Sequence, residues 1–148
     1  MPVPSKSTAR AKDWKKTRDD WIGRLSSLFD DVQVWAGPEW TPRRFDTELE
    51  EPEIGKYTAP VLLMQKGTTR IQLEPIARFG VGCDGVVDLY RMPAYDDIAT
   101  VLMDDDTWRI SWWRKEQDGS GEILESYPLS KDSFRKLLAR ISRNGQHA

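Results

Sequence analysis

The sequence predicts an α+β domain: an N-terminal helix, a mainly antiparallel sheet of about seven strands, and a C-terminal helix. Three observations predict it. Apolar residues recur at three- and four-residue spacing near both ends of the chain. Between about residues 43 and 127 the spacing changes to two, and short polar connections join the strand-like runs. Each helix has one apolar stripe and the sheet has one strongly apolar side, so both helices are expected on one sheet face. The alternative is a partly closed β-barrel plugged by the helices.

The first helix is expected from about Thr8 to Asp31. Trp14, Arg18, Trp21, Leu25, Leu28, Phe29 and Val32 form its stripe, with the Arg18 stem lying along apolar neighbours. Residues 1–7 read as a flexible lead, 8–145 as one domain and 146–148 as a tail. "AGPEWTP" supplies the Gly and Pro that end the helix.

The strands follow. "RFDTELE" alternates Phe45, Thr47 and Leu49 with Arg44, Asp46 and Glu48. "YTAPVLLMQ" and "TRIQLEPIARF" flank "KGT" as a hairpin, and "GVVDLYRM", "DIATVLM", "TWRISWWRK" and "EILESY" come next. "PAYD", "DDD" and "EQDGSG" separate them, and connections this tight imply antiparallel neighbours. "IATVLM" is apolar at nearly every position, as expected of a strand covered on both faces. The closing helix, in "LSKDSFRKLLARISRNG", has Ser130 as its cap. Phe134, Leu137, Leu138 and Ile141 are its stripe, Arg140 and Arg143 sit at the negative end of its dipole, and Asn144-Gly145 is its stop.

Composition narrows the function. His147 is the only histidine and lies in a tail expected to fray. Ser–His–Asp and Cys–His catalysis, the HExxH helix and Cys/His zinc sites are therefore not expected. Cys83 is the only cysteine, which suits a reducing cytoplasm. No apolar run approaches the ~20 residues needed to span a bilayer. "MPVPSKSTARAK" has no apolar h-region, so no secretory signal is expected, although its basic, Ser/Thr-containing character leaves a transit peptide open. The net charge of −2 is uneven: residues 1–18 carry +5 and 127–148 carry +4, which leaves −11 between them. Basic ends suggest a nucleic-acid footprint. The acidic middle and a pI near 5.5 argue that the charges simply balance.

Several motifs lack their context. "GVGCDG" (80–85) matches G-x-G-x-x-G, but a strand follows it where a phosphate-binding helix N-terminus is needed. A loop requiring positive φ is the simpler account, and Cys83 within it has no basic neighbour in sequence to lower its pKa. "DDD" (104–106) lacks the spacing and the Glu of an EF-hand and suits a turn. "YDD" and "FDD" meet the same objection. Trp14 and Trp21 among cations resemble a membrane-surface helix, yet their spacing, continued by Leu28, fits a stripe docked on a sheet. No cofactor or metal is expected.

"TWRISWWRK" (107–115) is the informative stretch. Alternation puts Trp108, Ile110 and Trp112 on the core face and Arg109, Ser111, Trp113 and Lys115 on the other. The neighbouring strands divide likewise, with Arg70, Gln72 and Glu74, and then Asp88 and Tyr90, facing away from the core. If that face is open, Trp113, Arg109, Tyr90, Arg70, Gln72 and Lys115 are the candidate partner-binding residues, since aromatics and arginines dominate binding hot spots. The competing account is that Trp113 is covered, or stands alone as exposed apolar residues often do. The expectation is a non-catalytic protein that binds a protein partner through this face. Two alternatives remain: nucleic-acid binding by the basic helices, and a hydrolase using two carboxylates from region 96–106.

Overall fold

The computed structural model describes residues 5–79, 82–93, 96–116 and 118–146, and the side chains of these except 5–13, 96–97 and 143–146. Helix α1 spans Ser5–Ala36. It is followed by strands β1 (Thr41–Glu51), β2 (Gly55–Lys66), β3 (Thr69–Ala77), β4 (Gly85–Met92), β5 (Asp96–Asp104), β6 (Thr107–Lys115) and β7 (Glu122–Pro128), and by helix α2 (Lys131–Gln146). The seven strands form one antiparallel sheet in chain order, β1 to β7. It is an open meander with two edges, not a closed barrel.

Helix α1 is longer than expected: it begins before Thr8 and runs past Asp31 to Ala36. The stripe explains the extension at its end, because Val32 and Ala36 continue the buried series Trp21, Leu25, Leu28 and Phe29. Gly37, at φ 93°, then stops it. Of the expected flexible lead, residues 5–7 are helical, and residues 1–4 lie outside the described residues, as do residues 147–148 of the tail. At α2, Ser130 Oγ accepts from Ser133 N at 3.2 Å while Ser133 Oγ accepts from Ser130 N at 2.9 Å. This is a reciprocal capping box with serine in the usual Glu position.

Both helices pack on one sheet face. Trp21, Leu25, Phe29 and Val32 of α1 join Phe134, Leu137, Leu138 and Ile141 of α2. They meet Ile71, Leu73, Val87, Leu89, Ala99, Val101, Met103, Ile110 and Trp112 of the sheet in a single core. In β2 the core residues change phase, from Tyr57 and Ala59 to Leu62 and Met64, across Pro60. The pairing with β1 stays unbroken there, so the two strands rotate together. That rotation leaves Phe45 exposed while Leu49 packs against the core.

One expectation is corrected. Strand β5 is not covered on both faces: Ala99, Val101 and Met103 are buried, while Ile98 is 45% exposed. Its unbroken apolar run reflects apolar residues on a partly exposed face. The "DDD" stretch forms a two-residue hairpin turn, with Asp105 at φ 52° and Asp106 at φ 64°, the backbone that hairpin twist demands. The "PAYD" connection lies partly outside the described residues, at 94–95.

Candidate functional site

The sheet face turned away from the helices is the outer face; apolar groups meet solvent at its β5–β6–β7 end, as Phe45 does on β1 and Ile76 on β3. The pair Ala99–Trp112 faces the core. Trp113, next on β6, therefore faces outward, and Ile98, next on β5, lies one residue beyond the last registered β5–β6 pair and beside the register shift between β4 and β5. Trp113 is paired with Leu124. Ile98, Trp113 and Leu124 are 45%, 55% and 50% exposed respectively. They form an apolar row across three strands that runs out to the free edge at β7.

Polar groups border the row. Lys115, exposed, is paired across β6 and β7 with Glu122. Arg109, also exposed, extends toward β7, its Nε 3.3 Å from Ser126 Oγ. Beneath the row, Arg140 of α2 donates to Trp113 O at 2.9 Å, and Arg114 pairs with Glu125 at 2.5 Å. The Arg114 hydrogen bond leads the causes that hold the Glu125 carboxyl below its ordinary value.

The other expected residues divide. Gln72 and Tyr90 are on the outer face but only 9% and 6% exposed. Gln72 Nε2 donates to Tyr90 OH at 2.6 Å, and Tyr90 OH donates to Glu74 Oε1 at 3.1 Å. Burial first, then the Glu74 carboxylate, raises the Tyr90 pKa. These two side chains floor the face instead of standing out from it. Arg70 is exposed, but β3 lies three strands from β6, about 14 Å away at ~4.8 Å per strand. The structure thus gathers Trp113, Arg109 and Lys115 at one end and adds Ile98 and Leu124. Sequence parity held the signal for Leu124, which alternates in phase with Glu122 and Ser126 in "EILESY". Ile98 was hidden by the apolar run around it.

A buried polar cluster at the opposite side was not visible in the sequence. Glu51, 8% exposed, accepts from Arg78 N at 3.0 Å, Phe79 N at 3.2 Å and Tyr57 OH. Arg78 also donates to Asp84 O. Burial, followed by the Glu51 contact, raises the Tyr57 pKa and keeps the phenol protonated. Trp21 Nε1 is buried with no hydrogen-bond partner of good geometry, although it is near enough to Tyr57 to oppose that shift slightly. Glu51 sits in an acidic run that resembles a solvated edge, and only folding brings residues 78–79 to it. The cluster closes the loop after β3 onto the β1–β2 hairpin.

Two of the aspartates in region 96–106 stand far apart. Asp96 and Asp104 stand at opposite ends of nine-residue β5, about 26 Å apart at ~3.3 Å per residue, against the roughly 5–9 Å that glycoside cleavage uses. Asp106 is paired with Arg24 at 2.7 Å, and Asp84 accepts from Asp105 N at 2.9 Å. Among the described residues, no three His, Cys, Asp or Glu side chains are placed to hold a metal ion. In "GVGCDG", Gly82 has φ 75°. Gly85 answers a different need, since a Cβ there would lie 2.6 Å from the Trp21 ring. Residues 80–81 lie outside the described residues.

Parts of both basic segments, residues 1–4 and 147–148 and the side chains of 5–13 and 143–146, lie outside the described residues. Trp35, near the end of α1, packs on Phe134 at the start of α2. Lys16 is about 28 Å back along α1, at ~1.5 Å per residue. Among the described residues, no helix is long and apolar enough to cross a membrane.

Fold and face together define the class: an α+β protein whose antiparallel meander carries helices on one side only. The chain matches no protein-family model, no curated protein sequence and no solved structure.

Proposed function

We propose that this is a non-catalytic binding protein that recognises a protein partner through the β5–β7 end of its outer sheet face, in a reducing cytoplasm. The carrying observation is the exposed row Ile98–Trp113–Leu124, bordered by Arg109 and Lys115. A large aromatic held on a rigid strand costs little entropy to present, and with Lys115 two residues and Arg109 four residues along the same strand the patch has the make-up of a binding hot spot. Nucleic-acid binding is less well supported. Lys136 is engaged with the Tyr127 ring at 4.7 Å and Arg140 with Trp113 O. The test is affinity capture from the native host with the wild-type chain and Trp113→Ala side by side. Partners should be recovered by the first and lost with the second. Recovery of the same partners by both would remove the outer face from the account.

A further inference from the structure

Strand β7 ends the sheet, and its ladder shows which backbone groups meet the open edge. Glu116 N donates to Gly121 O at 2.9 Å and Leu129 N to Trp108 O at 2.9 Å. The β6–β7 register between these two pairs is unbroken. Hydrogen-bonded pairs alternate along an antiparallel ladder. Gly121, Ile123, Glu125, Tyr127 and Leu129 therefore turn their peptide groups toward β6, and Glu122, Leu124 and Ser126 turn theirs outward. The side chains of those outward three lie on the outer face, where Leu124 finishes the apolar row.

We propose that a second copy of this chain pairs with that edge, β7 against β7, about a twofold axis through Leu124. The proposal rests on the outer-face reading above and names one occupant of its margin. In this register Leu124 meets Leu124 of the second copy, and the apolar row continues without a break across the axis. Glu122 meets Ser126, and both present unused peptide groups, so the outward N–H and C=O groups are matched by those of the other copy.

Charge favours the same register. Arg109 Nε lies 3.3 Å from Ser126 Oγ, so the guanidinium reaches over β7. Glu122 of one copy, set against Ser126 of the other, arrives beside that Arg109, and the twofold repeats the contact. An axis through Glu125 would oppose two glutamates, and one through Ile123 would set Glu122 against Leu124, away from Arg109. An axis through Ser126 would set Leu124 against Pro128, which has no N–H. The other sheet edge is blunted: β1 carries Pro42, Arg43, Arg44, Asp46, Glu48 and Glu50. A single strand pair is small beside a standard interface of about 1,600 Å², so the dimer is weak and fills only at high concentration.

The test is sedimentation equilibrium of the full chain from micromolar to near-millimolar concentration, with circular dichroism to confirm that each variant is folded. The mass should rise from monomer to dimer. Leu124→Lys should weaken the association about tenfold or more. Glu122→Arg should weaken it, and the double change Glu122→Arg with Arg109→Glu should restore it. A monomer throughout, a dimer indifferent to Leu124→Lys, or no rescue by the charge swap would overturn the proposal. A monomer that still captures a host protein in a Trp113-dependent way would refute self-pairing and leave the outer-face reading intact. A dimer with Trp113-independent capture would do the reverse.

Discussion

Gly85 has no room for a side chain. A Cβ would meet Trp21 at 2.6 and 2.8 Å, and that ring is fully buried. Gly85→Ala should cost about 1–3 kcal/mol in urea unfolding, the usual range for overpacking. The adjacent tryptophans of β6 should separate sharply in the same assay. Trp112, 4% exposed, packs on Tyr127 at 5.3 Å, so Trp112→Ala should cost about 3–5 kcal/mol. Trp113 is 55% exposed, so Trp113→Ala should cost less than roughly 1.5 kcal/mol. Equal, large losses would mean that the outer face is covered. Glu125 carries the residue-scale pH dependence. Its folded pKa is depressed, first by the Arg114 hydrogen bond, so its contribution is present above the unfolded pKa and disappears as pH falls through the folded one. Glu125→Gln should cost under about 1 kcal/mol at neutral pH, because the Arg114 side is solvent-screened. Its stability curve should converge with the wild type under acid conditions, and a constant gap down to low pH would contradict the ion-pair account.

Between elements, Glu51 ties the β1–β2 hairpin to the segment after β3. Tyr57→Phe removes one of its donors inside the protein and should cost about 1–3 kcal/mol. Wild-type stability in that variant would show that water replaces the hydroxyl. The β5–β6 turn makes the opposite case. Asp105 is held at φ 52°, which an L residue adopts at a cost. Asp105→Gly should therefore raise stability by up to about 1 kcal/mol, read as a higher melting temperature. A lower one would mean that this carboxylate does something beyond shaping the turn.

At the scale of the molecule, helices on one side only leave a core below the sheet and an outer face that is exposed at its β5–β7 end and buried at Gln72 and Tyr90. The glycine and aspartate motifs take structural positions in this arrangement: a turn, a hairpin tip and a close approach to Trp21. Mg²⁺, Ca²⁺ or ATP at millimolar levels should accordingly leave the melting temperature unchanged, and a saturable rise of several degrees with any of them would reinstate those motifs as sites. Oligonucleotides should not bind near physiological salt, since the basic ends are balanced by an acidic middle. Micromolar affinity there, falling steeply with added salt, would instead favour the nucleic-acid alternative.

The sequence by itself determined the element order, the antiparallel meander and the division of β6 into two faces. Those properties follow from local period: Trp108, Ile110 and Trp112 share a parity whatever surrounds them, and Phe134, Leu137, Leu138 and Ile141 share a helical stripe. Only the tertiary structure decided which members of the outer face meet solvent. Parity assigns Gln72 and Tyr90 to the same face as Trp113, but burial depends on neighbours across strands, and Glu74 and Gln72 enclose Tyr90 while Trp113 stands at the open end. The same reason hid Ile98 and Leu124 as a continuation of the Trp113 row, because a row across a sheet is fixed by register and not by spacing along the chain. It also hid Glu51, whose partners at Arg78 and Phe79 are remote in sequence.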